Sequence, residues 1–365
     1  MAKTEKKISA GLRMFEDKPV IVDPPNSWLQ ITGLMKFLLF SQEEKGYWLP
    51  IQGDPIRREN DEYDRVYYTF QAVSALLDLG LPTNTSPIRK AFYYIDKLPS
   101  VSINYRPFYY LMLPLGLFSE SKLIEFLRIL QRYQISEGNT HTDQKYIGSF
   151  ILPQGWINEA QKETTHWQGQ IHPGGAYFHA IHLGYLLTQI NRAQYPGAYQ
   201  LAQDLLDKVI LFLTKALDEN NGRIPYADGT DSPDLTLWLY WLSDNFRIPL
   251  PENYSENIEW AINEKGSKFM ARCFVGMNLV RLHEKNKLPS KFIKIAENHL
   301  LDLQSYLDSK YFELRENPRD AAIAVRAYLR IGEYFNDSFR YRLFSYLLQF
   351  FAEGYFLPED FKDWT

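Results

Sequence analysis

The 365-residue sequence contains one cysteine, Cys273, and no long apolar run. A single thiol cannot form a disulfide within the chain, and it cannot supply a metal site built from several cysteines. No window approaches the roughly 18 uncharged apolar residues of a membrane-spanning helix. These absences predict a cytoplasmic protein that does not cross a membrane, while peripheral contact with a membrane stays open.

Several functional motifs are also missing. The chain has no GxGxxG, Walker A, HExxH or GxSxG sequence, so no nucleotide cofactor is predicted. Its net charge of −4 gives no reason to expect a nucleic-acid partner. Lys3, Lys6 and Lys7 precede no long apolar stretch, so the N-terminus is not expected to be a signal peptide.

Aromatic residues, in contrast, are abundant. The chain has 25 Tyr, 23 Phe and 8 Trp, which together make up 15% of its residues. Large rings fill the space between packed helices, and they also line cavities whose ligands are apolar or transiently cationic. Composition alone leaves both interpretations open.

Two distant stretches follow one plan. Gln42 opens the sequence QEEKGYW, and a helical run after it ends at Gly80; Gln304 opens QSYLDSKYF, and a similar run ends at Gly332. Turn sequences around Gly222 and Gly266 and at position 310 follow one another at intervals of about 44 residues, the length of a two-helix repeat. The repetition predicts stacked helical hairpins.

Helical periodicity extends over most of the chain, and no stretch shows the alternation typical of strands. We predict roughly twelve helices, or six hairpins, in an all-α fold that forms a closed or curved array. The expected division is an N-terminal extension over residues 1–27 and a single α/α-barrel domain over 28–365. A long irregular insertion is predicted at about 134–175, rich in Gly, Gln, Thr and His.

The stretches at 42–80 and 304–332 resemble the QW-type repeat of the terpenoid cyclase and protein prenyltransferase superfamily, as in squalene-hopene cyclases. Fainter matches lie at 216–244 and 261–284, and together the matches cover under half of the chain. The resemblance implies an α/α toroid, a six-hairpin barrel with inner and outer helices. It also implies an isomerase or lyase that acts on isoprenoids.

Class II cyclases of this superfamily protonate their substrate with a DxDD motif at the head of an inner helix, and this chain has no such motif. The nearest substitutes are Asp64, which follows Asp61, and the group Asp228, Asp231 and Asp234. Three carboxyl groups within seven residues can raise one another's pKa, as an initiating acid requires. The alternative is a helix-capping cluster, because Asp and Ser are preferred helix starters.

A group of histidines is the second candidate for chemistry. His172 is predicted at the N-cap of a helix, and His179 and His182 fall on a similar face of that helix. Together they could hold a divalent metal, or one could act as a base or a polar contact in the cavity. The alternative is that His179 and His182 are hydrogen-bonded core residues.

The prenyltransferase branch binds zinc through an Asp, a Cys and a His, and the match to that pattern fails here. No Asp lies two residues before Cys273, and His283 is not at the ligand position. We therefore expect no cofactor and no partner α-subunit, with a divalent metal retained only as a possibility at the histidines.

The leading hypothesis is a terpene cyclase-like enzyme that cyclises or rearranges an isoprenoid or similarly apolar substrate by acid initiation. The acid would come from Asp231, Asp234, Asp228 or Asp64, and the base would be His179 or His182. Aromatic and polar contacts to the substrate are expected from Tyr67, Tyr68, Trp167, His172, Tyr177, Phe178, Trp238 and Trp241. Aromatic faces stabilise carbocation character by about 0.5–2 kcal/mol per ring.

Two alternatives remain. Six-hairpin α/α barrels also carry carbohydrate hydrolases, lyases and epimerases, and Asp64, Asp234, His172 and Trp167 could serve such chemistry. A sugar site should be open and polar, whereas a terpene site should be enclosed and apolar. The third possibility is a non-catalytic binding protein on the same fold. The sequence does not specify an oligomeric state.

Overall fold

The computed structural model describes residues 26–49, 62–98, 106–116, 118–136, 146–150, 173–225, 230–264 and 269–352. Its α-helices are α1 Asn26–Phe40, α2 Glu62–Asp78, α3 Ser86–Asp96, α4 Arg106–Leu115, α5 Glu120–Tyr133, α6 Pro173–Thr188, α7 Pro196–Glu219, α8 Pro233–Phe246, α9 Tyr254–Glu264, α10 Phe269–Glu284, α11 Ile293–Ser309, α12 Tyr311–Leu314, α13 Pro318–Phe335 and α14 Phe339–Ala352. A 3-10 turn, Ser290–Phe292, precedes α11.

The predicted all-α class is confirmed for this part of the chain. The described ranges hold fourteen α-helices and no strand, only two isolated bridges between single residues. None of the described helices is both long and apolar enough to cross a membrane. The predicted extension over 1–27 and most of the predicted insertion at 134–175 lie outside the described residues.

Most predicted helices occur at their expected positions. Ser119 caps α5 by accepting a hydrogen bond from the Lys122 backbone N–H at 3.5 Å. Pro173 is the first residue of α6, where its missing N–H costs nothing. From the periodicity of residues 257–284 we predict one helix, but the structure has two there, α9 and α10, and the sequence between them contains Gly266, a poor residue for a helix interior.

The helices differ in how much of their circumference is buried. Residues 275–280 of α10 and 321–325 of α13 are buried without a break, and five consecutive residues cover every side of a helix with 3.6 residues per turn. In α3, by contrast, Pro87, Ile88, Ala91 and Ile95 form one buried stripe. The structure therefore distinguishes helices with segments buried on all sides from helices that cover them.

Six helices contact one another in a cyclic order. α2 packs against α4, α4 against α6, α6 against α8, α8 against α10, and α10 against α13. α13 also packs against α2, so the last helix of the series contacts the first. Both of these contacts made by α13 are among the most extensive in the molecule.

The remaining long helices pack against members of this six-helix set. α3 contacts α2, α7 contacts α6, α9 contacts α8, and α11 contacts both α10 and α13. α1 and α14 both pack on α13, and α5 packs on α7. Every member of the set except α4 thus packs against the helix that follows it in the chain, as in a helical hairpin.

The turn after α1 is built around a glutamine and a glycine. Gln42 Nε2 donates to the carbonyl oxygens of Gly46 at 3.0 Å and of Pro87 at 2.8 Å. Gly46 has a φ of +97°, and a Cβ at this position would lie 2.3 Å from the carbonyl oxygen of Lys90. Only glycine allows the turn to approach α3 so closely.

The same turn recurs after α5. Gln134 Nε2 donates to the carbonyl oxygens of Gly148 at 3.1 Å and of Leu205 at 2.9 Å. Gly148 has a φ of +95°, and a Cβ added at this position would lie 2.3 Å from the carbonyl oxygen of Lys208. The segment 134–175, predicted as an irregular insertion, thus begins with a repeat of the Gln42 turn.

A third turn, after α7, shares the connection to the next helix. Gly222 has a φ of +77°, and two residues later the buried Ile224 backbone N–H donates to Thr236 Oγ1 at 2.9 Å. Correspondingly, Trp48 lies two residues after the glycine of the first turn, and its N–H donates to Thr69 Oγ1 at 3.2 Å. A threonine of the following helix, Thr69 in α2 and Thr236 in α8, thus fixes the incoming chain.

The predicted repeat at 304–332 differs from this pattern. Gln304 lies within α11 and does not open a turn, and α13 continues through Gly332 to Phe335. Gly80, in contrast, follows α2 with a φ of +89°, as expected of a helix C-terminus. The sequence match was therefore correct for the helices and wrong for the turn at Gln304.

Candidate functional site

Asp231, one of the four candidate acids, forms an ion pair at the head of α8. Its carboxylate accepts a hydrogen bond from Arg223 at 3.0 Å. Arg223 also donates to Asn257 Oδ1 at 2.9 Å and stacks over the Trp260 ring at 4.2 Å, and both of these residues belong to α9. This network ties the head of α8 to its neighbour α9 and gives Asp231 a structural role.

Asp234 takes part in the N-cap of α8. Ser232 Oγ donates to Asp234 Oδ1 at 2.8 Å and accepts from the Leu235 backbone N–H at 3.3 Å. A carboxylate in the first turn of a helix is also stabilised by the helix dipole. The structure therefore agrees with the capping alternative for Asp234. Asp228 and the side chain of Asp64 lie outside the described residues.

His182 lies between two aromatic rings. Its ring centroid is 4.2 Å from that of Phe178, one turn earlier on α6, and 4.3 Å from that of Trp238 on α8. His179 is buried, with its ring 5.5 Å from that of Phe178. The structure therefore brings together three residues predicted for the site, Phe178, His182 and Trp238, which we call the aromatic patch.

The predicted tyrosines lie in other surroundings. Tyr177 is buried and stacks on Phe212 of α7 at 5.2 Å, within the core between two helices. Tyr68 is also buried, and its hydroxyl accepts a hydrogen bond from Asn317 at 3.4 Å at the head of α13. Tyr67 packs edge-on against Tyr68. These contacts do not bring the tyrosines to the aromatic patch.

Trp241 lies one turn beyond the aromatic patch on α8. Its ring is 5.8 Å from that of Tyr185 on α6, and the Arg281 guanidinium of α10 lies 4.8 Å from its centre. The Lys285 ammonium lies 5.2 Å from the same ring. Cations attracted to an indole face are worth roughly 0.5–2 kcal/mol each, depending on desolvation.

Arg281 lies where several helices of the cyclic set meet. Its charge interacts with Arg326 and Arg330 of α13, with Asp78 of α2 and with Tyr185 of α6. Burial, the largest cause, lowers the pKa of Arg281 to about 10, and the two neighbouring guanidinium groups contribute in the same direction. The side chain therefore has an electrostatic environment unfavourable to its own charge.

The neighbouring arginines have carboxylate partners. Arg326 Nε donates to Asp78 at 2.9 Å, which joins α13 to α2, and its Nη1 lies 3.3 Å from the side-chain oxygen of Gln71. Arg330 Nη1 donates to Glu284 at 3.1 Å and Glu333 at 3.3 Å. The Arg326–Asp78 and Arg330–Glu333 pairs are partly buried, so solvent screens them less than surface pairs.

The arginines were missed by sequence reasoning, although a signal was present. Arg326 and Arg330 are four residues apart and interrupt the apolar run from Ala321 to Ile331 in α13. Charged residues on a helix buried all round must face a polar space or a partner. The same argument applies to Arg281 in α10.

Metal binding at the histidines gains no support here. In the ranges that the structure describes, no group of three His, Cys, Asp or Glu side chains could hold a metal ion. His172 and Trp167 lie outside those ranges. Cys273 is buried in the core, and burial raises the pKa of its thiol, which disfavours the thiolate that ligation requires.

Comparison with known proteins adds no further constraint. No family model, curated protein or solved structure matches this sequence.

Proposed function

We propose that the cyclic set of helices is an α/α toroid and that the protein is a terpene cyclase-like enzyme. In this proposal α2, α4, α6, α8, α10 and α13 are the inner helices. Their cyclic contacts and the burial of α10 and α13 on all sides support the assignment. The two glutamine-glycine turns support it as well. In each, the glutamine bonds its own turn to a helix that packs outside the set, α3 or α7.

The aromatic patch is the observation that carries the function. An imidazole between two rings can act as a base in an environment that favours cationic intermediates. An isoprenoid or similar apolar substrate would lie against Phe178 and Trp238, whose π-faces stabilise positive charge. His182 would then remove the final proton.

The initiating acid is proposed to be Asp64 or Asp228. Asp64 belongs to the first turn of α2, an inner helix of the proposed toroid. The ion pair of Asp231 and the capping bond of Asp234 make these two carboxylates less suitable, because an acid must be able to hold a proton. This choice narrows the four candidate acids suggested by the sequence to two.

The test is an assay of the purified full chain with squalene-type polyenes, their epoxides and prenyl diphosphates, with products identified by mass spectrometry. The wild type is expected to form cyclised products. His182→Gln should reduce turnover by roughly 100-fold or more, the lower end of a general base's contribution. Asp64→Asn and Asp228→Asn, tested separately, should identify the acid.

Asp231→Asn is the matched control. It should weaken the Arg223 network and lower stability by about 0.5–1 kcal/mol, because the pair is partly exposed, while the products stay the same. Absence of cyclised product from every substrate, or full activity in a folded His182→Gln variant, would contradict the proposal.

A carbohydrate-active enzyme is the second candidate. Arg281 lies over Trp241, one turn beyond the aromatic patch, and Arg326 contacts Gln71 and Asp78; a sugar site needs such polar groups beside stacking rings. A parallel assay with oligosaccharides and sugar epimers tests this alternative. Ligand binding without turnover in either panel would favour the third possibility, a binding protein.

A further inference from the structure

We propose that Arg281 is the centre of a binding site for an oxyanion, a carboxylate or phosphate group carried by a small-molecule ligand. The inference rests on the proposed function only in placing this site and the aromatic patch in one cavity. The binding itself is argued from the contacts of Arg281 and is tested without turnover.

The first argument is the absence of an acidic partner. Arg281 Nη1 donates to Asn278 Oδ1 at 3.0 Å, and its guanidinium lies over Trp241. Among the residues that the structure describes, Arg281 forms no ion pair, whereas Arg326 and Arg330 each bind a carboxylate. A guanidinium has five N–H donors, so Arg281 retains donors for a ligand.

The second argument is the local balance of charge. Arg326 and Arg330 both repel the charge of Arg281, and the nearby carboxylates of Asp78, Glu284 and Glu333 are already bound by those two arginines. A partly buried positive charge with cationic neighbours is unfavourable until an anion compensates it. A ligand oxyanion would supply that compensation through a bidentate contact.

The third argument is the position of the site. Phe178, His182 and Tyr185 follow one another along α6, and Trp238 and Trp241 along α8. The aromatic patch and the Trp241–Arg281 contact are therefore successive turns of the same two helices. A ligand with an apolar body and an anionic group one or two turns away, about 5–10 Å, matches this arrangement.

The experiment measures anion binding to the purified full chain by calorimetry and thermal unfolding. Inorganic phosphate and acetate are titrated separately at constant ionic strength, with sodium chloride as the control for screening. We expect saturable binding and a rise in Tm with at least one of the two oxyanions. The anion that binds more tightly identifies whether the anionic group of the ligand is a phosphate or a carboxylate.

Variants separate a binding role from a structural one. Arg281→Gln should weaken oxyanion binding by roughly 10- to 100-fold, the loss expected for a charge-assisted contact. Without ligand, its Tm should equal or exceed that of the wild type, because an uncompensated charge has been removed. Arg281→Lys keeps the charge and should retain part of the binding but lose the bidentate geometry.

Arg247→Gln is the surface control, because Arg247 is exposed beyond the C-terminus of α8, and it should bind as the wild type does. The proposal is overturned if neither anion binds at tens of millimolar, if Arg281→Gln binds as tightly as the wild type, or if its ligand-free Tm falls as for a lost ion pair. Oxyanion binding without isoprenoid or sugar turnover would contradict only the proposed function.

Discussion

Tyr240 is buried in α8, and its hydroxyl joins two elements of the fold. It donates to the Gly222 carbonyl oxygen at 2.6 Å and accepts from Asn257 Nδ2 at 2.9 Å. Burial, the largest cause, raises the pKa of Tyr240 to about 12, while the Asn257 hydrogen bond and the charge of Arg223 act in the opposite direction. The phenol is therefore kept neutral in the folded protein.

This shift predicts a loss of stability in alkali. The raised pKa means that the Tyr240 contribution is fully present below pH 10, where the unfolded tyrosine is also neutral, and is lost as the pH rises from 10 through 12. The loss over that range is about 2–3 kcal/mol. Urea unfolding of the wild type and Tyr240→Phe at several pH values measures it.

Tyr240→Phe should be less stable than the wild type by about 1–3 kcal/mol at neutral pH, because the hydroxyl's two buried hydrogen bonds are lost. The difference between the two proteins should shrink above pH 10. A difference that stays constant up to pH 12 would show that ionisation of Tyr240 is not coupled to folding. Comparing the two proteins removes the contribution of the other buried tyrosines.

At the scale of single elements, the recurrent glutamine-glycine turn explains how hairpins are joined. The amide groups of Gln42 and Gln134 each bridge their own turn to a different helix. The glycines Gly46 and Gly148 allow a carbonyl oxygen of that helix to approach the turn. Side chain and backbone thus fix both the shape and the docking of the turn.

Gly148→Ala tests this account. The added Cβ would lie 2.3 Å from the Lys208 carbonyl oxygen in a left-handed backbone conformation, so the turn or α7 must shift. We expect a loss of about 2–4 kcal/mol in the free energy of unfolding, measured in urea. Both the strain and the steric overlap contribute to this value.

Gly116→Ala is the matched control. Gly116 also has a positive φ, +67°. A Cβ added there would lie 3.6 Å from its nearest neighbour, Gln194 Nε2. Its substitution should cost only the conformational penalty, about 1 kcal/mol. Equal losses for the two variants would show that close docking on α7 contributes nothing.

At the scale of the whole molecule, the contact between α2 and α13 joins a helix near the start of the described chain to one near its end. Arg326 and Asp78 form a partly buried ion pair across this contact, and Gln71 adds a polar contact to the same arginine. Helices separated by about 250 residues in sequence are thereby held together. Closure of the cyclic set depends on this junction and on the contact between α10 and α13.

Arg326→Met is predicted to lower the free energy of unfolding by about 1–3 kcal/mol, because Asp78 is left partly buried without its partner. Adding Asp78→Asn to this variant should cost less than Asp78→Asn costs in the wild type. A double-mutant cycle in urea measures the coupling. Additive losses would mean that the pair does not join α2 to α13 energetically.

Much of the fold was predictable because its determinants are local. Capping at Ser119, the proline start of α6 and the glycine after α2 each act within a few residues, so their patterns are visible in the sequence. The turn at Gln134 was missed because its glycine lies fourteen residues away, at Gly148, whereas Gln42 and Gly46 are four apart. A search at fixed spacing cannot find both.

The candidate site was predictable only in part. The sequence determined the all-α class, the helix ends and the aromatic residues of the patch, because periodicity and capping depend on neighbours along the chain. Tertiary structure decided which residues meet: it placed His182 between Phe178 and Trp238, engaged Asp231 with Arg223, and surrounded Arg281 with residues of other helices. Ionic partners and ring contacts arise between helices distant in sequence, where spacing carries no information about which faces meet.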